Sequence, residues 1–271
     1  MRGAGKRKRG NMSKLLEKLE RISEGGGQPL GFGAAANRAK ISPMVIVASV
    51  PVGNAQLAAI AVESGADAVL MTAEHQKKRD EVLAQLSSAK INIPWGVCLD
   101  KGTREEIEQL IEMGCDFVIL SPAETPAAVL NEERIGKVLQ IDASLSDNLA
   151  KAINRLSVDA VLLSTVGGDE AAITVHELMV YERLAAAARK HLLAAMPPAL
   201  PIDDVESLWR LGVRGVVVEL TAKNPELRLS QVKEAIQKLP TRKKTGERIS
   251  ATLPLLTPQA ETEPPEEEDE E

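Results

Sequence analysis

"SGADAVLM" at residues 64–71, "MGCDFVIL" at 113–120, "LSVDAVLL" at 156–163 and "LGVRGVVV" at 211–218 align without a gap, and this fourfold match decides the fold. Each octet passes a small residue and then a polar one before running into unbroken apolar side chains. Gly65, Gly114, Ser157 and Gly212 fall in register, at the place where glycine ends a helix in the left-handed conformation. Each octet therefore reads as the end of a helix feeding a buried strand. The polar residues that follow the apolar runs, Thr72, Ser121, Ser164 and Glu219, are also in register.

One further apolar run of strand length precedes the first octet and three more lie between the octets. The complete set is "MVIVASV" (44–50), "DAVLMT" (67–72), "IPWGVCL" (93–99), "DFVILS" (116–121), "KVLQID" (137–142), "DAVLLS" (159–164), "HLLAAMP" (191–197) and "GVVVEL" (215–220). Strands buried on both faces of a parallel sheet need such near-continuous apolarity. Segments of helical period separate them, among them "NAQLAAIAVESG", "TREEIEQLIEMG" and "NPELRLSQVKEAIQKL", the last with Asn224 as cap and Pro225 opening the helix. Eight strands alternating with eight helices predict a single closed (β/α)8 barrel, the repeated unit being a quarter of it. An open sheet of that width would leave two edges to protect.

The chain resembles the aldolase-type TIM barrels over residues 43–240, through this eightfold order and the "GADAVLM" and "GVRGVVVEL" junctions. The resemblance is one of fold and implies an active-site mouth at the C-terminal ends of the strands. An enzyme of the lyase, isomerase or oxidoreductase class is the implied expectation, with the reaction left open.

Ahead of the barrel, "SKLLEKLERISE" puts Leu15, Leu16, Leu19 and Ile22 on one helical face with Ser13 as cap, and a glycine-rich lead-in follows. The expected organisation is a basic disordered extension over 1–11, the barrel with its leading helix and lead-in over 12–240, and a tail over 241–271 that is acidic and disordered at its end. Met12 makes an alternative start. The net charge of −6 combines five cations in residues 1–11 with eight acids in 261–271, around a middle that carries only −3. Aromatic residues make up 2% of the chain, too few for the stacking platform of a nucleic-acid surface, so "KRKRG" reads as a solvated extension and nucleic acid is not an expected partner. No apolar run reaches the roughly 20 residues of a membrane span, and the basic N-terminus lacks a secretory apolar stretch. A cytoplasmic protein with no membrane partner is expected, its cysteines Cys98 and Cys115 standing reduced at opposite ends of the sheet.

The strand ends supply the candidate site. Asp100, Asp142 and Glu219 close strands three, five and eight; converging carboxylates shift one another's pKa values or hold a cation, which suits acid–base or metal-assisted chemistry. The competing expectation is that each solvates a loop or caps the next helix. Ser49, Thr72, Ser121, Ser164 and Thr165 are expected to orient a small polar metabolite by hydrogen bonds, with Lys101 and His75 on the adjoining loops. No metal site and no definite cofactor is read. Lys101 and Lys223 lie beyond the strands and Lys137 starts strand five at the far face, which disfavours Schiff-base chemistry.

Two alternatives stay open. A flavin- or phosphate-linked enzyme would use the turn at Gly167 and Gly168 as an anion cradle, although turning the chain explains a glycine pair without a ligand. The loops after strands seven and eight, "MPPALPIDD" and "ELTAKNPEL", lack the glycines of the usual phosphate site of this fold. A non-catalytic interaction scaffold is the other alternative. The helix "ITVHELMVYERLAAAARK" is apolar around much of its surface, and a homo-oligomer would use Val180, Tyr181 and the alanine run if Val175, Leu178, Met179 and Leu184 face the barrel.

Overall fold

In the computed structural model the described residues are 13–24, 42–72, 92–99, 101–164, 172–198, 201–220 and 223–240. Eight parallel strands, β1 (Val45–Pro51), β2 (Ala68–Thr72), β3 (Trp95–Leu99), β4 (Phe117–Leu120), β5 (Gly136–Ile141), β6 (Ala160–Leu163), β7 (His191–Met196) and β8 (Gly215–Glu219), close in sequence order, with β8 paired back on β1. All eight coincide with the apolar runs to within about two residues. The helices are α1 (Lys14–Ser23), α2 (Ala55–Glu63), α3 (Arg104–Glu112), α4 (Asp147–Ala152), α5 (Val175–Ala187), α6 (Asp204–Arg210) and α7 (Pro225–Lys238).

The fourfold repeat has a structural counterpart. Asp67, Asp116, Asp159 and Arg214, one residue ahead of the even-numbered strands, each donate a backbone N–H to the carbonyl of Ile46, Trp95, Lys137 and Leu192 on the preceding odd strand, at 2.7 to 2.8 Å. The Asp67 and Asp159 carboxylates also accept the N–H groups of Ile46 and Lys137, both at 2.9 Å. Gly65, Gly114 and Gly212 take positive φ angles of 83°, 84° and 97°. Ser157 departs from this pattern: a side chain disfavours positive φ, and here α4 runs instead into a 3-10 turn (Ile153–Arg155) that ends extended at Leu156.

The expectation of eight barrel helices needs a second correction. A 3-10 segment, Ala127–Asn131, follows β4 where a regular helix was expected. Lys137, buried at the start of β5, donates through Nζ to the carbonyls of Leu130 and Glu132 at the end of this segment. The ammonium thus satisfies carbonyls that a longer helix would have bonded internally.

The interior divides into two cores. One lies between strands and helices; the other fills the barrel with Val45, Val47, Ala68, Leu70, Phe117, Ile119, Val138, Ala160, Leu162, Leu193 and Val217. These alternate along each strand, as pleating requires. At the N-terminal end most inward positions are small, with Ala68, Gly96, Gly136, Ala160 and Gly215 beside Val45 and Phe117, and α1 acts as the stopper. Its Leu15, Leu16 and Leu19 are buried against the barrel core, and a Cβ on Gly136 would meet the Ser13 side chain at 2.9 Å.

The orientation of α5 also differs from expectation. Glu177, Val180, Tyr181, Leu184 and Ala187 are the buried set, at i, i+3, i+4, i+7 and i+10 spacing, while Val175 and Met179 are exposed. Tyr181 is the side chain that decides the rotation, because it carries the largest apolar area on the helix. Val180 and Tyr181 are therefore barrel contacts and not a subunit surface. Among the described residues no helix is long and apolar enough to cross a membrane.

Candidate functional site

The alternation that fills the barrel continues past the apolar layers to its C-terminal mouth. In β1 the inward positions run Val45, Val47, Ser49; in β2 Ala68, Leu70, Thr72; in β5 Gly136, Val138, Gln140; in β8 Gly215, Val217, Glu219. In β4 and β6 the same period reaches Ser121 and Ser164, one residue beyond the strands. The top of the barrel is thus a polar tier set on an apolar one.

Ser49 and Glu219 are register partners across the β1–β8 seam, which sets their inward side chains roughly 5 Å apart. Ser49 is 7% exposed. Glu219 is exposed at the rim. The Thr72 hydroxyl donates to the Val50 carbonyl at 3.4 Å, a long bond that holds it loosely against β1.

Across the barrel a second group forms. Gln140 Nε2 donates to Ser164 Oγ at 2.9 Å, and the Cys98 thiol lies 3.9 Å from Gln140 Oε1 as a weak donor. Strands three, five and six are thereby tied together beneath the mouth. Gln140 and Cys98 were not expected as site residues, yet the signal was in the sequence: Gln140 is an uncharged polar residue at an alternate position of an otherwise apolar strand. After β4, Thr125 donates its N–H to the Ser121 carbonyl at 3.1 Å, and its Oγ1 is buried with no partner among the described residues.

The expected carboxylate trio is less uniform. Asp142, one residue past β5, is exposed and takes both the Ser144 N–H at 2.7 Å and the Ser144 hydroxyl at 2.5 Å on Oδ1. These two bonds, hydroxyl first, hold its carboxyl below the ordinary aspartate value against a small opposing effect of burial. It is an ionised turn-forming group and a weak base. Asp142 and Glu219 stand on strands three apart in the barrel order, while Asp100 lies outside the described residues. His75, Thr165, Gly167 and Gly168 lie outside them too. Lys101 is exposed, with Nζ 3.7 Å from Glu124 on the loop after β4. Among the described residues no group of three or more histidine, cysteine or acidic side chains is placed to hold a metal ion.

On the loops after β7 and β8, Asp204 at the start of α6 accepts the Ile173 N–H at 2.9 Å, and Arg228 in the first turn of α7 donates to the Pro197 carbonyl at 3.2 Å. Burial lowers the Arg228 pKa from its ordinary value. Asn224 precedes α7 in the left-handed conformation, without the side-chain capping bond its type suggested.

No family model matches the chain, and no curated protein does. Solved structures do match. A protein of Aquifex aeolicus VF5, 13% identical, superposes with a TM-score of 0.58, covering 83% of this chain and 99% of that one. The fold is a TIM barrel. A mutant tryptophan synthase alpha-subunit of Pyrococcus furiosus is 14% identical, with a TM-score of 0.57, covering 72% of this TIM-barrel chain and 97% of its own. Tryptophan synthase of M. tuberculosis, in an open form, is also 14% identical, with a TM-score of 0.55 and coverage of 72% and 93%. At such identities the likeness extends to the course of the backbone and not to chemistry.

Proposed function

We propose that this TIM barrel is an enzyme acting on a small polar metabolite held at the C-terminal mouth. The observation that carries the reading is the polar tier at the mouth, where Ser49, 7% exposed and at an inward position of β1, has Glu219 as its register partner. In this fold the C-terminal mouth, where these polar groups stand, is the place where ligands are bound. In this reading Glu219 is the acid–base group. Asp100 and Asp142 supply fixed negative charge at the rim, and Asp142 is the poorer base because Ser144 holds its carboxyl ionised. Ser49, Thr72, Ser121 and Ser164 orient the ligand, with Thr165, His75 and Lys101 on the surrounding loops. The reaction class follows from these groups only as far as proton transfer at a polar carbon or its hydroxyl, which is within reach of a single carboxylate.

The test is a thermal-shift survey of the full chain against small polar metabolites, repeated on Ser49→Ala and Glu219→Gln. At least one compound is expected to raise the wild-type midpoint, to raise that of Ser49→Ala less, and to be turned over by the wild type but not by Glu219→Gln. Compounds that stabilise all three proteins equally would place the binding elsewhere.

A further inference from the structure

Resting on that reading of the mouth, we infer that Gln140, Ser164 and Cys98 form a recognition floor for an uncharged, hydroxyl-bearing end of the ligand, such as a polyol terminus, with any ligand charge directed to the rim. Gln140 spends one N–H on Ser164, which occupies a lone pair of the Ser164 oxygen and leaves that hydroxyl's proton to donate toward the mouth. The second N–H of the Gln140 amide and the hydroxyl of Ser49 complete a set of groups that both give and accept hydrogen bonds. A hydroxyl, itself donor and acceptor, is the partner that satisfies such a set.

An anion is the wrong occupant. The described inward positions of this tier, Ser49, Thr72, Cys98, Ser121, Gln140 and Ser164, carry no positive charge. Directly beneath lie Ile119, Val138, Leu162 and Leu193, all within the barrel core, and the charges at the rim are the carboxylates of Glu219 and Asp142, with Lys101 exposed beside Glu124 at 3.7 Å. A phosphate or carboxylate pushed to this depth loses water without gaining a counter-charge. A hydroxyl loses little and gains its hydrogen bonds.

The experiment uses the full chain labelled with 15N, with glycerol and inorganic phosphate as probes. Glycerol is expected to shift the side-chain amide signals of Gln140 and the backbone amide of Ser164. The side-chain amide of Asn154, which donates to the Ala187 carbonyl away from the mouth, is expected to stay still. Phosphate is expected to leave Gln140 unmoved. Gln140→Glu, of nearly the same size but charged, is expected to weaken glycerol at least tenfold; if it fails to fold, Ser164→Ala carries the same test and abolishes the Gln140 shift. A Gln140 shift with phosphate overturns the inference. So does a glycerol response at the backbone of Ser49 and Glu219 that leaves Gln140 untouched, an outcome in which the mouth still binds and only the floor is wrong. If glycerol moves none of these signals, the floor and the mouth fail together.

Discussion

Gly96 stands inside β3 where a side chain has no room: a Cβ there would lie 2.5 Å from both the ring and the backbone carbonyl oxygen of Phe117 on β4. The ring can swing aside, but the carbonyl is fixed by the sheet. Gly96→Ala is therefore expected to destabilise the barrel by at least about 2 kcal/mol through overpacking, read as a lower urea midpoint at unchanged slope. An unchanged midpoint would mean that β3 and β4 slide apart freely. Single residues were also where the sequence was hardest to read. Ser49, Thr72, Ser164 and Glu219 were legible because a strand-end polar residue stands out against an apolar run. Gln140 is less legible, because it lies inside an apolar run that the polar Asp142 closes two residues later. Whether a carboxylate at a strand end turns to the mouth or to its own loop depends on a partner such as Ser144, a choice of rotamer that no periodicity encodes. Cys115 shows the converse. Its burial pushes the thiol far above its ordinary pKa, and the S–H is spent on the Phe117 carbonyl at 3.2 Å, so it is expected to resist alkylation in the folded chain, while Cys98, half-buried under the mouth, reacts first.

At the scale of elements, α1 is held by one carboxylate. Asp116 accepts the Ser13 hydroxyl at 2.7 Å, the Lys14 N–H at 2.8 Å and the Leu15 N–H at 3.0 Å, so the first turn of α1 is capped by the start of β4 about a hundred residues away. Lys18 adds a bond to the Asp67 carboxylate at 3.1 Å, the equivalent residue one repeat earlier. Asp116→Ala removes the acceptor of the Lys14 and Leu15 N–H groups and of the Ser13 hydroxyl, and is expected to cost about 2 kcal/mol, the loss of a charged cap. Hydrogen exchange should then show α1 opening ahead of the strands; strands that open with it would mean that the stopper and barrel unfold as one unit. The amphipathic face of α1 was readable from Leu15, Leu16, Leu19 and Ile22, but its destination was not. The sequence marks Asp116 only as a repeat position, and three-dimensional closure is needed to bring it to Ser13. For α5 the period was right and the rotation wrong, since Val175, Met179, Val180 and Tyr181 offer two apolar stripes and only packing against the barrel selects between them.

Taken as a whole molecule, the barrel is expected to lose stability on acidification in two separate steps, because its shifted groups act in one direction on different pH ranges. Burial holds His191, at the bottom of β7, below its ordinary 6.5; Glu20 and Asp159 pull it back up less strongly, and Arg214 and Lys190 press it down. Its neutral ring meets the Ser23 hydroxyl at the end of α1, Oγ to Nδ1 3.1 Å. With the folded pKa depressed, the unfolded chain takes up the proton first, so the stability His191 contributes is complete above about pH 6.5 and declines as the pH falls toward the folded value. Glu132 behaves the same way lower down: the Arg134 side chain holds it from 4.5 to about 2, so its contribution is full above pH 4.5 and drains away between there and about 2. Asp142 adds a smaller loss of the same sign below its ordinary 3.8, smaller because the Ser144 turn is open to solvent. Urea midpoints measured from pH 7.5 downward should fall first as the pH drops below about 6.5 and again below 4.5. His191→Gln should flatten the first step and leave the second; Arg134→Ala should shrink the second and leave the first. If His191→Gln leaves the first step in place, the titrating group lies elsewhere on the chain, and the seam between α1 and β7 is not the acid-sensitive part of the barrel.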